Sequence, residues 1–420
     1  SLPFFLITFI DPITDSTLSV CPRGLLERVI GELKEDGFEA YAGAEYEYFN
    51  FKETPDSAAA KKFQDLDPLS KGMHGYSLLR PALNNEYFHD LYDSLTDPPS
   101  YAGHHTETGP GVYESALAYQ PVARMADNAT LFKYIAKLTG MKYGVMPTFM
   151  AKPYSDQPGC SGHVHISLRD KTGENIFAVK EDEVKEGRKG ASYEDTKRIS
   201  EVAEWFLAGV LMGLPSIVSD YLSRLQKSLP TKIRFDEDAL PCSDRQRLQA
   251  PRGIILGPSE CPVSYAYENR LASVRIISPP LAGRQATRLE VRVPGADVSF
   301  LVVSALLRLS HLRRLLISQM LPHYTFAAVL ACGLYGIRNK LPLTLAPLNT
   351  TSSSSLPISL ERLPKSLGEA AAKMGEEGSM ARKVLGDEFV DHFVATRVNE
   401  WELFSQSVTS WETQRYFELA

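Results

Sequence analysis

The stretch "YAGAEYEYFN", residues 41–50, sets Glu45 and Glu47 in alternation with Tyr46 and Tyr48. Side chains two apart on a β-strand share a face. Read as a strand, the run aims two carboxylates into one space and backs them with aromatic rings. If that arrangement has a use, other strands should carry polar residues on a matching face.

They do. "HVHISL" (163–168) puts His163 and His165 on one face, and "TRLEVRV" (287–293) does the same for Arg288, Glu290 and Arg292. Between them, "HHTETGPGVYESA" (104–116) carries Glu107 and Glu114 on either side of a Gly-Pro-Gly turn. Any one pair alone reads equally well as a solvated sheet face. Together they supply carboxylates and imidazole with no thiolate, a set that suits Mg²⁺ or Mn²⁺ and not structural zinc. Arginines interleaved with carboxylates suit phosphate oxygens, which guanidinium groups bind in forked pairs. Divalent ions and arginines around phosphate point to phosphoryl transfer. No Walker A motif is present, so the nucleotide site would be of another kind.

The bulk properties leave room for this. A chain of 420 residues buries a large core, as two or three domains or one large catalytic unit. The net charge of -6 argues against a general nucleic-acid binder. Five cysteines without a CxxC pair argue against a disulfide framework or zinc site and favour a reducing, cytoplasmic compartment. "LPFFLITFI" is too short to span a bilayer. The apolar stretch 299–320 is broken by Arg308, His311, Arg313 and Arg314, so no membrane partner is expected.

Helical periodicity covers 22–36 and 193–226, closes 114–140 with a stop at Gly140, and fills most of the tail from 300. Strands are expected at 38–51, near 147–152, and at 163–168, 272–277 and 287–293, with 54–110 irregular and 227–265 weakly periodic. The pattern is α+β. Lys133 and Asp127 read as a solvated helix face. Of the adjacent His104 and His105, at most one should reach the polar site.

In order, "GAEYEYF", "HHTETGPGVYE", "TFMAKP", "GCSGHVHISL", "ENRLASVRI" and "RLEVRVPGAD" resemble the motifs of the glutamine synthetase family, nearer its bacterial-type and fungal synthetase-like branch. "LACGLYGI", "LPISLERL" and "VTSWETQRYFELA" resemble its helical C-terminal end. The resemblance covers most of 11–225 and 265–420. It implies a catalytic domain with a curved antiparallel sheet forming a funnel wrapped by helices. It implies one divalent ion on Glu47, Glu107 and Glu114, and a second on Glu45, His163 and Glu290. Arg247, Arg270, Arg275 and Arg292 match the substrate and phosphate arginines, with Arg270 and Arg292 catalytic, and Arg275 and Arg288 toward the nucleotide. Ser167 resembles a nucleotide contact, Gly159 and Gly162 lie where the amino-acid substrate approaches, and Glu260 in "SECPV" matches a flap glutamate. The implied reaction phosphorylates glutamate with ATP, then lets ammonia or another amine displace phosphate. The family forms rings of subunits, so a homo-oligomer is expected.

Four departures accompany the resemblance. The N-terminal β-grasp domain of roughly a hundred residues is expected to be absent. Val112 replaces a glutamine two residues before Glu114. The stretch around Arg247, "PCSDRQRL", is altered. Residues 299–321 read as an insertion, either translated intron sequence or an added surface helix. These departures leave a second reading: a catalytically impaired member with a structural or regulatory role.

Overall fold

The computed structural model describes residues 5–95, 101–154, 157–217, 262–279, 283–296, 322–348 and 361–417. Helix α1 (Pro22–Glu35) starts on a proline, whose fixed φ suits a first turn, and buries Leu25, Leu26, Val29 and Leu33 along one stripe. It leads into β1 (Glu39–Phe51), a strand of 13 residues. Ala40, Ala42, Ala44, Tyr46 and Tyr48 of β1 are buried, whereas Glu45 and Glu47 are half-buried on the opposite face.

Helices α2 (Pro55–Ala60), α3 (Leu79–Ala82) and α4 (Asn85–Asp93) follow, then β2 (Tyr101–Thr106) and β3 (Val112–Pro121). The stretch expected to be irregular therefore holds three short helices and a strand. Glu114, placed by periodicity at the head of a helical run, lies on β3; helix α5 (Val122–Lys142) begins only after Pro121 and continues two residues past Gly140. The turn between β2 and β3 relies on Gly111, at φ 68, where a Cβ would lie 2.5 Å from the Asn50 carbonyl oxygen.

Strands β4 (Met146–Thr148) and β5 (Gly162–Arg169), helix α6 (Glu201–Ile217), and strands β6 (Tyr265–Tyr267), β7 (Val274–Ile277) and β8 (Arg288–Val291) complete the sheet region. The order is β2-β3-β1-β5-β8-β7-β6, with β4 also on β1. Pairing is antiparallel except between β6 and β7, which are parallel, so the sheet is mixed where a purely antiparallel one was expected. β6 starts on the last residue of the weakly periodic region and had no alternation to announce it.

The core lies behind the sheet. Tyr46 and Tyr48 pack on Phe132 of α5 and on Phe149, with ring centroids 5.0–6.3 Å apart. Lys133 belongs to this layer, contrary to its reading as solvated. It is 3% exposed, its Nζ lies 3.9 Å from the Tyr46 ring centroid, and it donates to the Ala296 carbonyl at 2.7 Å. Its neighbour Asp127 bridges Arg23 of α1 (3.1 Å) and the buried His323 (2.9 Å).

The C-terminal part is helical: α7 (Pro322–Arg338), α8 (Leu367–Gly375), α9 (Met380–Leu385), α10 (Asp387–Ser405) and α11 (Ser410–Tyr416). Among the described residues no helix is long and apolar enough to cross a membrane, and Cys21, Cys160 and Cys332 are buried and outside any disulfide. The proposed insertion 299–321, Arg247 and Glu260 lie outside the described residues.

Candidate active site

Strand register assembles the polar face. Glu47 of β1 stands opposite Glu114 of β3, and Glu114 stands opposite His105 of β2. On the other flank Glu45 faces His163 of β5, His165 faces Glu290 of β8, and Glu290 faces Arg275 of β7. Six strands thus bring one row of carboxylates, imidazoles and guanidinium groups onto one face.

Contacts between side chains follow. His163 Nδ1 lies 3.5 Å from Glu45 Oε2 and 3.4 Å from Glu290 Oε1. His165 Nε2 lies 3.2 Å from Glu45 Oε1, and His105 Nε2 lies 3.4 Å from Glu114 Oε2. Arg275 Nε is 3.0 Å from Glu290 Oε2, and Arg292 pairs with Glu290 Oε1. Arg288 donates to His165 Nδ1 at 3.1 Å. Arg270 is exposed; its side chain is bonded to Tyr76, and its carbonyl accepts from Arg292 Nε at 3.1 Å.

The two flanks differ in charge balance. Burial opposes ionisation of Glu290, yet His163, His165, Arg292 and Arg275 together hold its carboxyl below the usual range. Burial opposes Glu45 too, and His163 and His165 hold it well below that range. Glu114 is the reverse. Burial, then repulsion from Glu47, Glu45 and Glu107, pushes it up to about 9. Burial likewise raises Glu47, against opposing pulls from His163 and the Ser161 N–H. One flank is neutralised by protein cations, and the other is a set of carboxylates without that compensation.

Three groups of side chains offer ligand atoms within 4.8 Å of one another: Glu45, His165 and Glu290; Glu45, Glu114 and His163; and His105, Glu107 and Glu114. The donors are oxygen and imidazole nitrogen; among them, buried His165 Nε2 makes no hydrogen bond, and Glu290 Oε2 has only its ion pair with Arg275. Such a set fits a hard divalent cation. All six residues expected as ligands share the site. Glu47 joins none of the three groups; its Oε2 accepts the Ser161 N–H at 2.7 Å.

The remaining expected residues are placed as follows. Ser167 is buried on β5, on the face of His163 and His165. Gly162 backs onto the core: a Cβ there would lie 3.1 Å from the Gly295 carbonyl oxygen and 3.2 Å from the Tyr46 ring. A Cβ on Gly159 would lie 2.7 Å from the Ala151 carbonyl oxygen. Both glycines thus also permit close packing against neighbouring atoms.

Sequence reasoning left His105 and His165 out of the ligand set. Of the adjacent pair, His105 reaches Glu114, whereas His104 stacks on Tyr113 in the aromatic core, and burial lowers its basicity to about 4. Farther along the same face, Arg169 lies over the Tyr41 ring at 4.0 Å, and Tyr41 packs on Tyr119 with centroids 5.4 Å apart. This cationic, aromatic surface also had no local sequence signal, because its three members come from three strands.

A family model described as glutamine synthetase, catalytic domain, matches residues 19–221 and 313–416. Strands β6 to β8, with Arg275 and Glu290, lie between the two matched segments. Type-1 glutamine synthetase 2 of Dictyostelium discoideum is 35% identical over 420 residues, covering 100% of this chain and 68% of that protein. A glutamate–isopropylamine ligase of a Pseudomonas species is 29% identical over 411 residues, covering 98% and 76%. A solved structure of a GmaS/ADP complex superposes with a TM-score of 0.69 at 21% identity, covering 96% of this chain and 79% of that one.

Proposed function

The chain belongs to the glutamine synthetase family, and from that premise we propose that it is an ATP-dependent ligase joining the γ-carboxyl of glutamate to ammonia or another amine. Relatives named for glutamine and for isopropylamine and ethanolamide products support the choice of glutamate and leave the amine as the variable partner.

The observation that carries the reading is the charge division around Glu290 and Glu114. Buried Glu114 is crowded by three carboxylates, while Arg275 and Arg292 stand across the site on Glu290. Carboxylates set against guanidinium groups fit a cation-bound phosphate lying between them. In this proposal Glu45, His163 and Glu290 would hold one Mg²⁺ or Mn²⁺, and Glu47, Glu107 and Glu114 another. Bound there, the cations would supply neutralisation of phosphate charge.

The chain's own groups do the rest. Arg270, Arg275 and Arg292 bind and orient phosphate and substrate carboxylate, and Arg288 and Ser167 lie toward the nucleotide. The Arg169–Tyr41–Tyr119 surface offers a planar base a stacking partner. A γ-carboxylate oxygen of glutamate attacks the terminal phosphorus of ATP, and the bond to ADP breaks. The amine nitrogen then attacks the acyl carbon, loses a proton, and phosphate leaves. Glu260 is proposed to shield this step. The reading includes a catalytic domain working as a homo-oligomer, as the family resemblance implies, in the reducing, cytoplasmic compartment that the cysteine usage favours.

The test is ADP release by the purified chain with ATP, glutamate, Mg²⁺ or Mn²⁺ and a panel of amines including ammonia. Release stimulated by one amine, and lost in Glu290→Ala, supports the ligase. Release indifferent to every amine would overturn it.

A further inference from the structure

His163 and His165 lie on the same face of β5 and both turn a ring nitrogen toward Glu45, at 3.5 and 3.2 Å. What distinguishes them is the partner of the other nitrogen. For His165 that partner is Arg288, whose Nε–H lies 3.1 Å from Nδ1. A guanidinium group only donates. It takes the Nδ1 lone pair, so the ring carries its proton on Nε2, the atom facing Glu45. A protonated nitrogen has no lone pair for a cation.

His163 is turned end over end. Its Nδ1 faces Glu45 and Glu290, and its Nε2 lies 2.9 Å from Ser161 Oγ. A hydroxyl both donates and accepts. Ser161 can therefore accept an Nε2–H and free the Nδ1 lone pair for the carboxylate side. Partners of this kind fix the tautomer and orientation of a ligating histidine.

Ser161 is itself held firmly. It is 6% exposed, its N–H donates to Glu47 Oε2 at 2.7 Å, and its carbonyl accepts from the Glu47 N–H at 3.0 Å. It also bridges to Gly295. The hydroxyl thus sits on a backbone tied to one carboxylate of the cluster while its oxygen touches the imidazole.

We propose that Ser161 and Arg288 decide which histidine serves as a ligand: Ser161 positions His163 to bind a divalent cation through Nδ1, and Arg288 occupies His165 Nδ1 and leaves the proton on Nε2, which faces Glu45 without a hydrogen bond. The proposal rests on the ligase reading for the presence of a cation, and adds to it a positioning role for Ser161.

The experiment uses the full chain and Mn²⁺ as probe. Free Mn²⁺ is followed by electron paramagnetic resonance during titration, and coordinated nitrogen is read from the electron spin-echo modulation of bound Mn²⁺. Ser161→Ala keeps the backbone bonds and removes only the hydroxyl; it is expected to weaken Mn²⁺ binding about 10-fold. Ser161→Thr restores the hydroxyl and should return affinity to the wild-type value. His163→Gln should lose a nitrogen signal that His165→Gln retains. Wild-type affinity in Ser161→Ala, or loss of that nitrogen signal in His165→Gln, would overturn the assignment while amine-stimulated ADP release left the ligase reading standing. A wild-type chain that binds no Mn²⁺ would overturn both.

Discussion

Glu47 and Glu114 stand directly opposite each other on adjacent antiparallel strands. Like charges in that position destabilise a sheet. Here Glu45 and Glu107 add to the repulsion at Glu114, and His163 with the N–H and hydroxyl of Ser161 opposes it at Glu47. The chain carries this cost at the centre of its sheet, where a bound cation would reverse its sign.

The first prediction concerns the cation-free chain. Glu114 is raised from 4.5 to about 9, so between those values the folded state keeps a proton that the unfolded chain releases. Stability from this group is therefore full below pH 4.5 and is lost as pH rises toward 9. Glu114→Gln removes that loss. In EDTA its melting temperature should exceed wild type by about 2 °C at pH 8 and match it near pH 4.5. A lower value at pH 8 would reject the argument.

Cation affinity should follow the same group. Binding displaces the Glu114 proton, so Mn²⁺ affinity rises by up to about tenfold per pH unit below pH 9, with about one proton released. Calorimetry in two buffers of different ionisation heat counts that proton. Affinity independent of pH between 6 and 8 would contradict the placement of Glu114 in the cation site.

Removing Glu290 leaves Arg275 and Arg292 facing each other without their carboxylate. Glu290→Ala should lose about 3 kcal/mol of stability, as when one partner of a buried pair is deleted. Mn²⁺ at a hundred times its dissociation constant should stabilise the wild type by about 2.7 kcal/mol and this variant far less. Equal stabilisation of both would place the cation elsewhere.

Lys133→Met tests the layer behind the site. The substitution leaves the Ala296 carbonyl without its donor and should cost about 1–3 kcal/mol in urea unfolding. Lys142→Met, near the exposed end of the same helix, should stay within about 0.5 kcal/mol. Similar small effects at both positions would return Lys133 to the surface.

Alternation made β1, β5 and β8 legible, because each buries one face and spends the other on charge. The metal-type residues Glu45, Glu47, His163 and Glu290 were visible for that reason, and the resemblance grouped them. Glu114 was assigned to a helical run because "ESALAYQPVARM" carries apolar residues at spacings compatible with a helix; the break comes at Pro121, where β3 ends. β6 is three residues long and gained its place from a parallel partner, which no local pattern encodes. His105 and His165 became visible only through cross-strand register. Lys133 was misplaced because a lysine on a helix is ordinarily solvated, and the ring and carbonyl that receive it come from distant parts of the chain.

The polar row is also ordered along the chain. β1, β3 and β5 pair among themselves, but Glu290 arrives on β8 from much later in the chain. A folding chain that has closed only its earlier strands holds the crowded carboxylates and lacks Arg275, Glu290 and Arg292. Arg275 and Arg292 come with Glu290 and neutralise it, so the earlier carboxylates keep their repulsion even in the finished sheet, and a cation that relieved it would tie strands from distant parts of the chain to one another.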